Sequence, residues 1–100
     1  MATFLVVEHR SGPEWKPGRP LEEQSGWAYH AAFMDGLVDS GFIVLGGPLD
    51  DVRVAHAVEA ASADAVRATL ARDPWSYSHL RIDDVEDWQI RLDGTRRPAR

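Results

Sequence analysis

Two residues of this chain, His30 and Asp73, are of types that together transfer protons in enzymes. A carboxylate that accepts a hydrogen bond from an imidazole holds the ring in one tautomer, which is the usual way of building a general base. His30 lies in the segment WAYHAAFMDGLVD, and Asp73 lies in the segment ARDPW. The two segments are far apart in the chain, so a pair forms only if the fold brings them together.

The segment around His30 has the periodicity of an amphipathic helix. At 100° per residue, His30 falls in a stripe that is otherwise apolar. The other members of the stripe are Trp27, Ala31, Met34, Leu37 and Val38, and the opposite side carries Asp35, Asp39 and Ala32. This pattern predicts that His30 is buried. A buried imidazole is either satisfied by hydrogen bonding within the core or takes part in chemistry, and both interpretations stand at this point.

Asp73 directly follows the second predicted helix, at residues 63–72. A carboxylate at a helix C-terminus is disfavoured by the helix dipole by roughly 0.3–1 kcal/mol, and glycine, asparagine or a cation is the more typical residue there. This position favours a functional role, although Asp-Pro is also a common start of a turn. If both helices cover the same face of a sheet, His30 and Asp73 can meet there.

Aromatic residues near these two side chains are candidate walls of a substrate pocket. Trp27, Phe33, Trp75 and Tyr77 can enclose an aromatic-sized ligand, although each is more often an ordinary core residue. Trp15 lies in a loop at residues 10–20 that is rich in proline and glycine. A loop of this length is typical of a lid, and it can also fold back on the surface.

The remaining motifs predict neither a metal site nor a cofactor site. Gly46 and Gly47 can present backbone N–H groups to an oxyanion, and a tight turn explains them as well. The spacing of His9, His56 and His79 matches no metal-ligand pattern, so we expect no metal. The chain also carries no phosphate-binding or dinucleotide-binding glycine motif, and we expect no cofactor.

Composition excludes several classes of function. The formal charge of −5 and the isoelectric point near 5.2 argue against a nucleic-acid binder, which needs a basic face. The absence of cysteine excludes disulfide and thiol chemistry. No apolar run approaches the ~18 residues of a membrane span, and the N-terminus has no leader pattern. We therefore expect a cytoplasmic protein that acts on a small molecule.

The predicted elements follow one another in the order βαββαβ. The strands are expected at residues 3–9, 42–45, 53–60 and 80–92, with an irregularity at 83–84, and the helices are expected at residues 20–40 and 63–72. A turn is expected at residues 46–48. This order predicts a ferredoxin-like α+β fold, with a four-stranded antiparallel sheet and two helices on one face. A single domain at residues 1–93 would precede a disordered basic tail at residues 94–100.

The first two strands are apolar on both faces, whereas two helices on one side cover one face alone. Something must shield the second face, and the chain has no further segment for that purpose. A second copy of the chain is the simplest cover, so we expect a homodimer packed sheet against sheet.

Four short motifs make the chain similar to a known family. The segments HAAFM at residues 30–34, GFIVLGGP at 41–48, ARDPW at 71–75 and VEDW at 85–88 resemble the YciI-like (YCII-related) family of the dimeric α+β barrel superfamily. The resemblance spans residues 3–92 and implies a small dimer whose pocket holds a paired histidine and aspartate, at His30 and Asp73. It also implies acid–base chemistry such as dehydrochlorination of a chlorinated hydroxyquinol, without metal or organic cofactor.

Overall fold

The computed structural model describes residues 1–96 and has the expected α+β architecture. The elements in chain order are β1 (Ala2–His9), a 3-10 turn (Leu21–Glu23), α1 (Trp27–Asp39), β2 (Ile43–Pro48), β3 (Arg53–Ala60), α2 (Ala63–Leu70), β4 (Arg81–Asp87) and a second 3-10 turn (Gly94–Arg96). The four strands form an antiparallel sheet in the order β2-β3-β1-β4. This is the predicted arrangement, compatible with a ferredoxin-like fold. No helix within residues 1–96 is long and apolar enough to cross a membrane.

The hydrophobic core lies between the two helices and one face of the sheet. Alternate side chains of β1 and β3 face the helices, as period-2 patterning requires. The buried core side chains are Phe4, Val6, Ile43, Val58, Ala60, Val66 and Leu70. Burial of a valine- to phenylalanine-sized side chain contributes roughly 1.5–3 kcal/mol each. Val66 and Leu70 of α2 belong to this core, and Met34 and Leu37 of α1 pack against it, so both helices lie on the same sheet face.

The opposite sheet face, which we call the open face, has an apolar centre on β1, β2 and β3 and acidic side chains on β4. Its apolar part consists of Leu5, Val7, Leu45, Ala55 and Ala57, which the strand register places side by side. Leu45 is 61% exposed. On β4, Asp84 and Glu86 stand beside β1. The pKa of Glu86 is raised, because its protonated carboxyl donates a hydrogen bond to the Asp84 carboxylate and the charge of Asp84 disfavours ionisation.

The prediction that the first helix begins near Pro20 was wrong. The chain makes only a 3-10 turn there, and α1 begins at Trp27, after Gly26 adopts a left-handed backbone with φ 71°. The buried Gln24 side chain explains the break, because its amide bonds both the N–H and the C=O of Lys16 at 2.9 Å and 2.8 Å. Val38, assigned to the buried stripe, is exposed.

The predicted turn at residues 46–48 was also wrong. Gly46, Gly47 and Pro48 continue β2 and pair with β3. The turn comes later, where the carboxylate of Asp50 accepts hydrogen bonds from the backbone N–H groups of Val52 and Arg53. These bonds lower the pKa of Asp50. Pairing with β3 therefore outweighs the local tendency of Gly-Gly-Pro to turn.

The C-terminal part of the chain confirms some expectations and corrects others. Ser62 caps α2 as predicted, since its side chain accepts a hydrogen bond from the N–H of Ala65. The irregularity near Asp83 is confirmed by a register shift between β1 and β4. However, β4 ends at Asp87, so the strand predicted at residues 80–92 is too long. Of the predicted tail, residues 94–96 form a 3-10 turn and residues 97–100 lie outside the described residues.

Candidate functional site

A cavity of about 250 Å³ lies between α1 and the part of the sheet formed by β2 and β3. An apolar cavity of about 150 Å³ is large enough for benzene, so this one fits a substituted single ring. The cavity lining includes His30, Trp27, Trp75, His56, Gly46 and Arg10. Apolar walls with a few polar groups are typical of a small-molecule site.

His30 and Asp73 form a buried hydrogen-bonded pair beside this cavity. The Nδ1 atom of His30 lies 2.8 Å from Oδ1 and 2.9 Å from Oδ2 of Asp73. The two residues are 8% and 6% exposed. Because an ionised carboxylate only accepts hydrogen bonds, Nδ1 is the protonated nitrogen. The Nε2 atom has no hydrogen-bond partner within residues 1–96, and His30 lines the cavity, so Nε2 is the nitrogen left to act as a base.

The position of Asp73 after α2 has a local cause as well. Its Oδ1 accepts a hydrogen bond from the backbone N–H of Trp75 at 2.9 Å, and its own N–H donates to the carbonyl of Leu70. A carboxylate that bonds the backbone two residues ahead forms an Asx turn, and this turn follows α2, which ends at Leu70 rather than at residue 72 as predicted. The turn and the pairing with His30 therefore occur together, and one carboxylate serves both.

Trp75 lies between two histidine rings in a parallel stack. Its ring centroid is 4.0 Å from that of His30 and 4.5 Å from that of His79, with interplanar angles of 7° and 15°. The indole N–H donates to the carbonyl of Ser25 at 2.8 Å. The ring nitrogens of His79 lie 3.0 Å and 2.8 Å from the hydroxyls of Ser25 and Ser78, and burial lowers the pKa of His79. Stacking and hydrogen bonds together fix the plane of the His30 ring.

The other predicted aromatic residues are placed differently. Trp27 lines the cavity, with its ring centroid 5.9 Å from those of both His30 and Trp75. Trp15 packs edge-on against Trp75 at 6.0 Å, outside the cavity lining. Phe33 is half-buried and lies outside the lining too. The roles of these residues in substrate binding stay predictions.

His56 is a cavity residue whose relation to the site we had not predicted. Its ring lies on the core face of β3, where the Nε2 atom is 3.5 Å from Oε1 of the buried Glu8 on β1. Neither this oxygen nor Nδ1 of His56 has a hydrogen-bond partner in the described part of the chain. A Cβ atom at Gly46 would collide with the His56 ring. The sequence signal was available, because Glu8 and His56 occupy core positions in the alternation of their strands.

Arg10 brings a cation to the cavity. It follows β1, is half-buried, and its guanidinium lies 4.8 Å above the ring of Trp15, a cation–π distance. Its Nη1 atom donates to the carbonyl of Asp51 at 3.1 Å. The loop at residues 10–20 therefore contacts the site through Trp15, which packs against both Arg10 and Trp75.

A second hollow, of about 400 Å³, lies on the open face between β2 and the segment after β4. Its lining includes Leu45, Ala57 and Trp88, and no histidine among the described residues. Within residues 1–96, no group of three or more acidic, histidine or cysteine side chains is arranged to hold a metal ion. Of the four histidines, His30 and His56 line the cavity beside α1.

Comparisons with known proteins identify no relative of this chain. No family model, no curated protein and no solved structure matches it. The YciI-like resemblance therefore depends on the motifs in the sequence, and any function has to be argued from the geometry of the site.

Proposed function

We propose that this chain is a YciI-like enzyme in which His30, held by Asp73, is the general acid and base. The substrate is a small aromatic or enol-type molecule, and the reaction is an elimination or isomerisation that needs no metal or organic cofactor. The observation that carries this proposal is the 2.8 Å contact of Nδ1 with Asp73 in a ring that lines a cavity. A base oriented by a carboxylate is the arrangement that proton abstraction requires.

The chemistry follows from the two nitrogens of the ring. Nε2 of His30 takes a proton from an acidic C–H of the substrate, and the electron pair of that bond forms a double bond. In an isomerisation the imidazolium returns the proton to another atom of the substrate, whereas in an elimination a leaving group departs with its electron pair. Asp73 stabilises the imidazolium by charge, and the π face of Trp75 at 4.0 Å stabilises it further.

A second candidate function is a non-catalytic dimer that binds a small ligand, with His30 and Asp73 as structural residues. The observation that favours it is the burial of the pair and the stacking of His30 on Trp75, which a core histidine also displays. In that case the cavity holds a ligand and no proton is transferred.

The homodimer is part of the same proposal. The apolar part of the open face, centred on Leu5, Leu45 and Ala57, is the surface that a second copy would cover. The acidic side chains of β4 lie outside this apolar part, which is formed by β1, β2 and β3. Since the cavity lies on the helix-covered face, each copy would carry its own site.

Proton exchange tests the enzyme against the ligand-binding alternative. We expect the wild-type protein to accelerate deuterium exchange from solvent into phenylpyruvate or acetylacetone, followed by proton NMR, and His30→Gln to remove this acceleration. His9→Gln is the matched control, because His9 pairs with Asp83 away from the cavity. If chlorohydroquinone quenches tryptophan fluorescence equally in wild type and His30→Gln, and neither protein accelerates exchange, the ligand-binding alternative is correct.

A further inference from the structure

The charged groups that line the cavity give information about the substrate that the His30–Asp73 pair does not. Two charged side chains, Arg10 and Asp35, line the cavity alongside His30 and His56. Asp35 is exposed on α1, whereas Arg10 is half-buried. The charge of Arg10 is therefore screened less by water than the charge of Asp35, so Arg10 interacts more strongly with a ligand in the cavity.

Arg10 is held in place, and some of its guanidinium N–H donors are not used by the contacts that hold it. One guanidinium N–H group donates to the carbonyl of Asp51, and the central guanidinium carbon lies over the Trp15 ring, 4.8 Å from its centroid. A guanidinium has five N–H donors in a planar fork that matches the two oxygens of a carboxylate. No carboxylate is within ion-pair distance of Arg10 in the described part of the chain, so the remaining N–H donors of the guanidinium have no carboxylate partner.

We propose that Arg10 is the substrate-binding residue for a carboxylate, and that the substrate is a small organic acid with an aromatic ring or an enolisable carbon. The proposal rests on the acid–base function proposed above for the same cavity. The carboxylate of the substrate binds the Arg10 fork at one part of the cavity wall. The apolar remainder lies against Trp27, where His30 can reach its acidic C–H.

The volume and the polarity of the cavity agree with this class of substrate. About 250 Å³ accommodates a single ring with a carboxylate but leaves little room for a nucleotide or a peptide. The apolar wall formed by Trp27 and Met34 favours the hydrocarbon part of the molecule. Arg10 then selects acids over neutral molecules of the same shape, because a charge-assisted bidentate pair is lost without the carboxylate.

Benzoate and benzamide are suitable probes, since they have the same shape and differ in charge. Binding is measured by tryptophan fluorescence and by the NMR signals of the His30 ring, which locate the ligand in this cavity. We expect wild-type protein to bind benzoate at least tenfold more tightly than benzamide at low salt. We also expect added salt to weaken benzoate binding and to leave benzamide binding unchanged.

Variants assign the preference to Arg10. In Arg10→Gln we expect the preference for benzoate to disappear while benzamide affinity is retained, and Arg10→Lys should recover part of it. Asp35→Asn should strengthen benzoate binding, because a repelling charge is removed. Arg72→Gln is the matched control, since Arg72 is an exposed arginine outside the cavity lining. The salt dependence of the wild-type protein tests the proposal even if an Arg10 variant does not fold.

Different failures overturn different proposals. Equal binding of benzoate and benzamide by the wild type, or an Arg10→Gln variant that weakens both equally, overturns the role of Arg10 in carboxylate binding. Tighter binding of phenyl phosphate than of benzoate overturns the choice of a carboxylate. If phenol binds with a shift of the His30 signals and benzoate does not, the acid class is wrong and the acid–base site stands. If no probe, neutral or charged, perturbs His30, both proposals fail.

Discussion

The Nδ1 atom of His30 on α1 lies 2.8 Å and 2.9 Å from the two carboxylate oxygens of Asp73, which follows α2. The contact links α1 to the segment after α2, across 43 positions of the chain. It orients the imidazole, assigns the proton to Nδ1 and leaves Nε2 for the cavity. The first prediction concerns this contact.

We expect Asp73→Asn to reduce the proton-exchange activity of the wild type by about a hundredfold, within the range by which general acid–base catalysis contributes. The amide keeps the oxygen that accepts from the N–H of Trp75, so the turn survives, but the charge that stabilises the imidazolium is lost. The NMR signal of the Nδ1–H proton reports the contact and should move or disappear. Unchanged activity together with an altered Nδ1–H signal would show that the pair is structural.

We expect Gly46→Ala to cost roughly 1–3 kcal/mol of unfolding free energy, because its methyl group collides with the His56 ring. Gly47→Ala on the same strand is the matched control, since a Cβ atom at Gly47 would meet no atom within 4 Å. Urea unfolding of the two variants measures the difference. Equal stabilities would contradict the tight packing of His56 against β2.

We expect the unfolding free energy to fall as the pH drops below about 6.5, in part because of His79. Burial lowers the pKa of His79 in the folded protein below the ordinary value of 6.5, and this effect dominates over the opposing charges of Glu14 and Asp73, while His30 adds to it. The unfolded chain therefore takes up a proton first, which favours unfolding. Urea unfolding at pH 7.5 and pH 5.5 measures the loss, and His79→Gln should lose less over the same interval. An identical loss in wild type and variant would contradict this role of His79.

We expect the protein to be a dimer in solution and Leu45→Glu to make it a monomer. A buried carboxylate on the apolar part of the open face has no partner, and its desolvation opposes association. Leu49→Glu is the matched control, because Leu49 is also exposed but lies in the hairpin between β2 and β3. Light scattering at micromolar concentration distinguishes the two states. A monomeric wild-type protein would rule out the dimer.

Several features of the fold were predictable because their causes are local. The alternation of β3, the cap at Ser62 and the irregularity near Asp83 all depend on residues close together in sequence. The stripe that buries His30 depends on helical periodicity along α1. The order of strands and helices then leaves few arrangements of an antiparallel sheet, so the fold class followed from the sequence as well.

The extent of two elements depended on contacts that the sequence does not display. The side chain of Gln24 bonds the backbone of Lys16 and interrupts the first helix, although proline and two glutamates favour a start there. Residues 46–48 join β2 because β3 supplies pairing partners, although Gly-Gly-Pro favours a turn. In both cases a tertiary hydrogen bond outweighs a local propensity, which is a weak preference of the order of 1 kcal/mol per residue.

The sequence by itself determined the fold class, the burial of His30 and the candidacy of Asp73 as its partner. Only the tertiary structure decided that Asp73 reaches Nδ1, that His30, Trp75 and His79 stack, and that His56 and Arg10 line the same cavity. The reason is physical: a pattern along the chain specifies which face a side chain is on. The distance between two side chains on different elements depends on how those elements pack. A pattern of neighbouring residues does not determine that packing.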